Sequence, residues 1–218
     1  MPPRPKTSIA AWIVGVAALV GVAAILVASI VAAGNRATTG KPSATASTQA
    51  AETSTPETRA PETSAAESAT AAPTRKVVVA DDQSSQVTVP NGWKTYELNP
   101  IGKIELVDPT VTQYLLVLSQ PREDFEVDLQ GFADLSIKEL SAAAEVTDLA
   151  TPKNLSINGA PALEYEFSLT LNGLRFAYWL TVIEGPTNYH RVMTWTFASD
   201  ADRYRPALRR ITQSFKGI

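Results

Sequence analysis

The chain has 218 residues, 44% of them hydrophobic, with one histidine and no cysteine. Without cysteine there are no disulfides, thiolate zinc sites, cysteine nucleophiles or lipid-modified N-terminal cysteine. From residue 76 onward 13 Lys and Arg stand against 18 Asp and Glu, a net charge of −5, which argues against nucleic acid as a partner because phosphates call for a basic surface.

The chain begins with Arg4 and Lys6, then runs uncharged through residues 7–35 with a continuous apolar core at 9–33. At ~1.5 Å rise per residue such a run spans the ~30 Å hydrocarbon core of a bilayer. The expectation is a short cytoplasmic N-terminus at 1–8 and a single transmembrane signal-anchor helix at 9–33. A cleaved signal peptide is the competing reading, since Val31-Ala32-Ala33 precedes Gly34, but the apolar region of such peptides is usually only ~7–15 residues. Arg36 and Lys41 nearly balance Arg4 and Lys6, so the positive-inside count is close to a tie; the short, amine-bearing N-terminal tail favours export of the C-terminal part. Residues 34–75 are dominated by Ala, Ser, Thr, Pro and Glu, lack aromatics and repeat Pro-Glu-Thr at 56–58 and 61–63. Burial cannot offset the ordering entropy of such a tract, which reads as a disordered tether of the kind found in extracellular stalks.

Residues 76–218 read as one domain. Val77-Val78-Val79 is an edge strand or an apolar lead-in. Gln86-Val87-Thr88-Val89 is a strand entering the turn Pro90-Asn91-Gly92, where Gly92 is expected at positive φ and Trp93 is expected to open a short strand reaching Glu97. Residues 103–107 and 114–119 are two further strands of the main sheet. Asp128 is placed to N-cap a helix from Leu129 to about Ala144, with Leu129, Phe132, Ala133, Ile137, Leu140 and Ala144 near one face. A short strand at residues 155–157 then leads through Asn158-Gly159, a hairpin signal.

Three segments with strict alternation follow. Leu163, Tyr165, Phe167, Leu169 and Leu171 alternate with Ala162, Glu164, Glu166, Ser168 and Thr170, which is the strand period. Asn172-Gly173 suits a type I′ turn and thereby sets the pairs Leu171 with Leu174, Leu169 with Phe176, Phe167 with Tyr178, Tyr165 with Leu180 and Leu163 with Val182. The turn Gly185-Pro186-Thr187-Asn188 continues the meander and pairs Leu180 with Met193, Tyr178 with Trp195 and Phe176 with Phe197. The opposite face, including Trp179, Ile183, His190 and Val192, is mixed and predicted to be partly covered. Ser199 and Asp202 resemble a capping box. Beyond them Tyr204, Ala207, Leu208, Ile211 and Phe215 repeat at helical spacing, with Pro206 expected in the first turn. The fold class is α+β: a largely antiparallel sheet with a C-terminal three-stranded meander, packed by two helices as an α/β/α sandwich.

Residues 76–218 resemble the PsbP-like or LpqN-type envelope proteins. The resemblance rests on Val89-Pro90-Asn91-Gly92-Trp93, on Ile157-Asn158-Gly159-Ala160-Pro161-Ala162, on the meander with Tyr189 and on Ile211-Thr212-Gln213-Ser214-Phe215-Lys216. It implies an α/β/α sandwich and a surface-tethered bacterial envelope protein of actinobacterial type. LpqN-type members are typically exported lipoproteins; this chain departs from them by lacking the lipobox cysteine and carrying a longer apolar anchor.

No reaction centre is spelled out. His190 stands alone, whereas a metal site needs several ligands and a triad needs a placed nucleophile. Glu164 and Glu166 project from one side of a strand, and a solvated face explains them better than paired acid/base chemistry. Residues 124–128 alternate acids as a calcium loop does, but Leu129 and Leu135 occupy the positions that need Gly and Glu, so a loop and an N-cap are expected. Arg203, Arg205, Arg209 and Arg210 give the last helix a basic face that reads as solvation. Catalytic, cofactor and metal residues are therefore assigned to none. The expected function is that of a membrane-anchored, extracytoplasmic, non-enzymatic binding or accessory module of the cell envelope, whose partner is an envelope protein. The alternative is a carrier or sensor of an apolar small molecule or lipid, held between sheet and helix near Trp179, Ile183, His190 and Val192.

Overall fold

The computed structural model describes residues 74–218. The segments read as the N-terminal tail (1–8) and the transmembrane helix (9–33), with all but the last two residues of the linker (34–75), lie outside the described residues. Among the described residues no helix is long and apolar enough to cross a membrane. In chain order they form β1 (Arg75–Val79), β2 (Ser85–Pro90), β3 (Lys94–Thr95), β4 (Ile104–Asp108), β5 (Gln113–Pro121), α1 (Leu129–Ala143), β6 (Glu145–Thr147), β7 (Lys153–Ile157), β8 (Ala160–Leu171), β9 (Leu174–Glu184), β10 (Asn188–Phe197), α2 (Ala201–Gln213) and β11 (Lys216–Gly217). The main sheet runs β3-β4-β5-β10-β9-β8-β6, with β7 also on β8, and a smaller sheet runs β1-β2-β11. Every pairing is antiparallel.

Alternation in β8, β9 and β10 produces the predicted register, from Leu171 opposite Leu174 to Leu163 opposite Val182 and from Phe176 opposite Phe197 to Leu180 opposite Met193. Asn172 and Gly173, at φ 50° and 77°, make the tight turn, and Asn158 and Gly159, at 49° and 88°, repeat it between β7 and β8. On the apolar face the register stacks four rings across four strands. Tyr114 of β5 lies on Trp195 of β10 at 5.1 Å, Trp195 on Tyr178 of β9 at 5.1 Å, and Tyr178 on Phe167 of β8 at 5.7 Å. Each such contact contributes about 0.5–1.5 kcal/mol beyond simple burial. Phe132, Ala133 and Leu140 of α1 close this side. Asp128 caps α1 as expected, its carboxylate accepting from the Gly131 N–H at 2.8 Å.

The other face of the sheet is closed by α2 and the small sheet. Leu208 and Ile211 of α2, with Phe215 just beyond it, share one buried cluster with Val87, Val89, Trp179, Ile183 and Val192. The mixed face of the meander is thus covered, and the layers stack helix, sheet, helix.

Local expectations fail at five places. Gly92 is not at positive φ; the Pro90 carbonyl accepts the Trp93 N–H at 3.2 Å, and Trp93 is buried ahead of a strand of only two residues. The linker boundary shifts because Arg75 pairs with Pro90 and so joins β1. β6 escapes the sequence reading because three residues carry too little periodicity to see. The capping box does not form: the chain enters α2 through a 3-10 turn at Ala198–Asp200, whose Ala198 carbonyl accepts the Ala201 N–H, and Asp200 at the cap makes no side-chain bond. Pro206 consequently falls inside α2, past its first turn.

Candidate functional site

Antiparallel hairpins put alternate turns at opposite ends of a sheet, so the β9–β10 turn emerges at the end away from Asn172. Arg122, in the 3-10 turn Arg122–Asp124 that follows β5, clamps it. Its guanidinium pairs with Glu184 at 2.5 Å, donates to the Gly185 carbonyl at 3.2 Å and lies over the Tyr189 ring at 5.2 Å. The Arg122 backbone N–H also donates to the Thr187 carbonyl at 2.9 Å. One ion pair, two hydrogen bonds and a cation–π contact hold the turn as a rigid ridge.

A cleft lies on each side of that ridge, and Arg122 and Pro186 line both. One, of about 550 Å³, is bounded by Pro121, Phe125, Val127 and Tyr189. The other, of about 590 Å³, is bounded by the β7–β8 turn, the end of β9 and the segment from Phe215 to Gly217. Asn158 fixes the far wall of this second cleft, its Nδ2 donating to the Phe215 carbonyl at 2.6 Å. Lys216 stands exposed among its lining residues, with no ion pair among the described residues.

His190 lies at the base of the second cleft, 2% exposed. Its Nδ1 is 2.8 Å from Ser119 Oγ on β5, and its ring packs on Phe215 at 5.0 Å between centroids. Nε2 faces the bare backbones of Gly185 and Gly217, where a Cβ would come within 2.8 and 3.1 Å of it. Burial pushes the imidazole down to about 4, opposed only by the charge of Asp82, so the ring is neutral at pH 7.

The four residues picked out on the mixed face divide. Ile183 and His190 line the cleft, whereas Trp179 and Val192 are sealed in the core beneath α2. Side chains fill the space between sheet and helix at those two residues; the two larger clefts lie at the end of the sandwich, and a smaller one of about 170 Å³ lies where α2 meets β7 and β8, lined by Leu155, Ile157, Glu164 and Arg209.

The acidic pair and the basic helix also need correction. Glu164 is 5% exposed and bonded to Arg209 at 2.7 Å, while Glu166 pairs with Arg205, whose guanidinium lies over Trp179 at 5.2 Å. That face is not solvated, because α2 covers it and brings a cation to each carboxylate. Of the four arginines, two therefore face the sheet; Arg203 lies over Tyr204 at 5.1 Å, and Arg210 donates to the Pro206 carbonyl at 3.2 Å. Residues 124–128 form the end of a 3-10 turn and the α1 cap. Among the described residues no three His, Asp or Glu side chains converge as a metal site requires.

Ser119, Arg122 and Gly217 carry no local sequence signal, and Lys216 and Gly185 enter the sequence reading only as parts of the closing motif and of the second meander turn. Gly185-Pro186 beside the only histidine was the one local hint. The Ser119 contact spans 71 residues and depends on β5 pairing with β10.

No family model matches the sequence, and no curated protein matches it. Among solved structures, the chain is similar to cyanobacterial PsbP (CyanoP) from Synechocystis sp. PCC 6803, with a TM-score of 0.51 and 11% identity over 69% of this chain and 96% of that one. A second similarity is to LpqN, described as involved in cell envelope biogenesis of Mycobacterium tuberculosis, with a TM-score of 0.47 and 12% identity over 66% of this chain and 90% of that one. The domain has the PsbP-like fold, and at these identities the likeness concerns the fold alone.

Proposed function

We propose that the chain is a membrane-anchored, extracytoplasmic module without catalytic activity of its own, which binds an envelope protein or small envelope component at the β9–β10 end of its sandwich. The observation that carries this reading is the placement of concave surface. Side chains fill the centre of both sheet faces beneath α1 and α2 and leave a groove of only about 170 Å³ beside α2, while two clefts of about 550 and 590 Å³ flank one clamped turn. The alternative reading, an apolar ligand between sheet and helix, loses its room where Trp179 and Val192 are packed; a small ligand is better served by the end cleft. The address rests on the order of basic residues, apolar run and Ser/Thr/Pro-rich tether in the sequence. The absence of catalysis rests on His190, whose Nδ1 meets a serine rather than a carboxylate and whose neutral ring has no orienting acid.

Two measurements test the proposal on the full chain in intact cells. With no native cysteine, Thr53→Cys places a single thiol in the tether, and a membrane-impermeant maleimide is expected to label it before lysis; labelling only after lysis refutes the exported reading. A photoreactive residue at Thr187 is expected to form discrete adducts that one at Asn172, on the opposite end, does not. Equal patterns from both positions, or none from either, would remove the binding surface from this end.

A further inference from the structure

Away from the end clefts, and resting on the reading of residues 9–33 as a membrane anchor, we propose that the outer face of the small sheet docks on the anionic phospholipid surface of the membrane that holds the chain.

Register decides what that face carries. Val78 of β1 and Val87 and Val89 of β2 turn inward to the cluster beneath the small sheet, and Lys76 turns with them, its Nζ donating to the Trp93 carbonyl at 2.7 Å. The alternate set therefore points outward: Arg75, Val77 and Val79 on β1, beside Thr88 and Gln86 on β2. Across β2, Gly217 of β11 lies opposite the fully buried Ser85, while Lys216 lies opposite Gln86 and shares its outward side. Ile218 extends this ladder, its N–H donating to the Ser84 carbonyl at 3.1 Å. Val77, Val79 and Ile218 are 57%, 46% and 66% exposed.

Charge and attachment select the occupant. From residue 76 onward the chain has a net charge of −5, yet the outward set includes Arg75 and Lys216 and no Asp or Glu. The acids of the adjoining turn are Asp81 and Asp82, and Asp82 is paired with Lys103 at 2.7 Å. Aliphatic side chains flanked by cations suit an anionic bilayer interface, where apolar burial and attraction to the headgroups act together. The face also adjoins the point where the chain enters the domain, since β1 starts at Arg75. A tether made of residues 34–73 has an r.m.s. span on the order of 35 Å, which keeps the bilayer at high effective concentration beside this face.

With no native cysteine, Gln86→Cys puts a single dye in the middle of the face, and Ser141→Cys puts one on α1, exposed on the far side of the main sheet. The full chain is reconstituted at one chain per nanodisc with a quencher-bearing lipid, in phosphatidylcholine alone or in an equimolar mixture with phosphatidylglycerol. Quenching at 86 but not at 141 is expected in the anionic discs, and severalfold less of it in phosphatidylcholine. Arg75→Gln and Lys216→Gln, both at exposed positions, are each expected to lower the ratio of docked to free domain about fivefold. Val77→Thr with Val79→Thr keeps strand propensity and is expected to lower it by a similar factor. Quenching at 86 no greater than at 141, equal quenching in the two lipids, or no loss in the glutamine variants overturns the proposal. Quenching that appears only with two chains per disc assigns the face to a second copy and overturns it too. A chain that does not stay with the discs discards the anchor together with the docking; one that stays and is unquenched discards the docking alone.

Discussion

Lowering the pH from 7 to 5 is expected to destabilise the domain by about 2 kcal/mol through one imidazole. His190 is held at about 4 in the folded protein, against an ordinary value of 6.5, chiefly because burial disfavours its charged form. The unfolded chain therefore takes up a proton near 6.5 that the folded chain refuses until about 4. This contribution is fully present above 6.5 and is lost as the pH falls toward 4, reaching ~2 kcal/mol at pH 5 and ~3 kcal/mol at the end of the transition. Other shifted carboxyls act differently. Asp82, held at about 2 where its hydrogen bonds and the Lys103 charge outweigh burial, costs stability only below its ordinary 3.8. Glu105, pushed up by burial despite accepting from the Leu98 and Asn99 N–H groups, opposes the loss slightly near pH 5. Urea unfolding followed by tryptophan fluorescence at pH 7, 6 and 5 measures the slope. A direct NMR titration of the same histidine reads its folded midpoint. A midpoint near 6.5, or stability flat down to pH 5, refutes the argument that this ring is desolvated.

Three further expectations concern the fold. Gly173→Ala, at φ 77° with no atom near the added Cβ, pays only for left-handed backbone, about 1–2 kcal/mol in urea unfolding, whereas Gly92→Ala, at an ordinary φ, is expected to be neutral or stabilising by up to ~1 kcal/mol. Glu139→Ala strands Arg191, which is 4% exposed and bonded to Glu139 and Gln120 at 2.7 Å each; the expected loss is about 3 kcal/mol, largely restored by adding Arg191→Met. Arg209→Met leaves the buried Glu164 carboxylate alone and is expected to cost about 2 kcal/mol, relieved by Glu164→Gln. Arg205→Met, opposite the better exposed Glu166, is expected to cost less than ~1 kcal/mol; a double-mutant cycle on each pair separates the two.

Much of the architecture was legible because its signals are local. Period-two alternation and two Asn-Gly turns specify β7 to β10 and their register, since a slip of one residue would turn every apolar side chain to the wrong face. Asp128 before an apolar stripe likewise announces α1. Boundaries at Gly92, Ser199 and Pro206 were misplaced where competing turns satisfied the same backbone groups, as the 3-10 turn did ahead of α2.

Alternation distinguishes the two sides of a strand but cannot say what covers the second one. Glu164 and Glu166 sit where a solvated face would put them, and they are paired because α2, some 40 residues later in the chain, lays Arg209 and Arg205 over them. The same holds for the site. The meander fixed His190 on the mixed face, but its serine comes from β5, its ridge from Arg122 and its far wall from Phe215. Residues that far apart in sequence meet only through sheet order and helix docking, and those depend on the sum of many weak burial terms that no local pattern encodes.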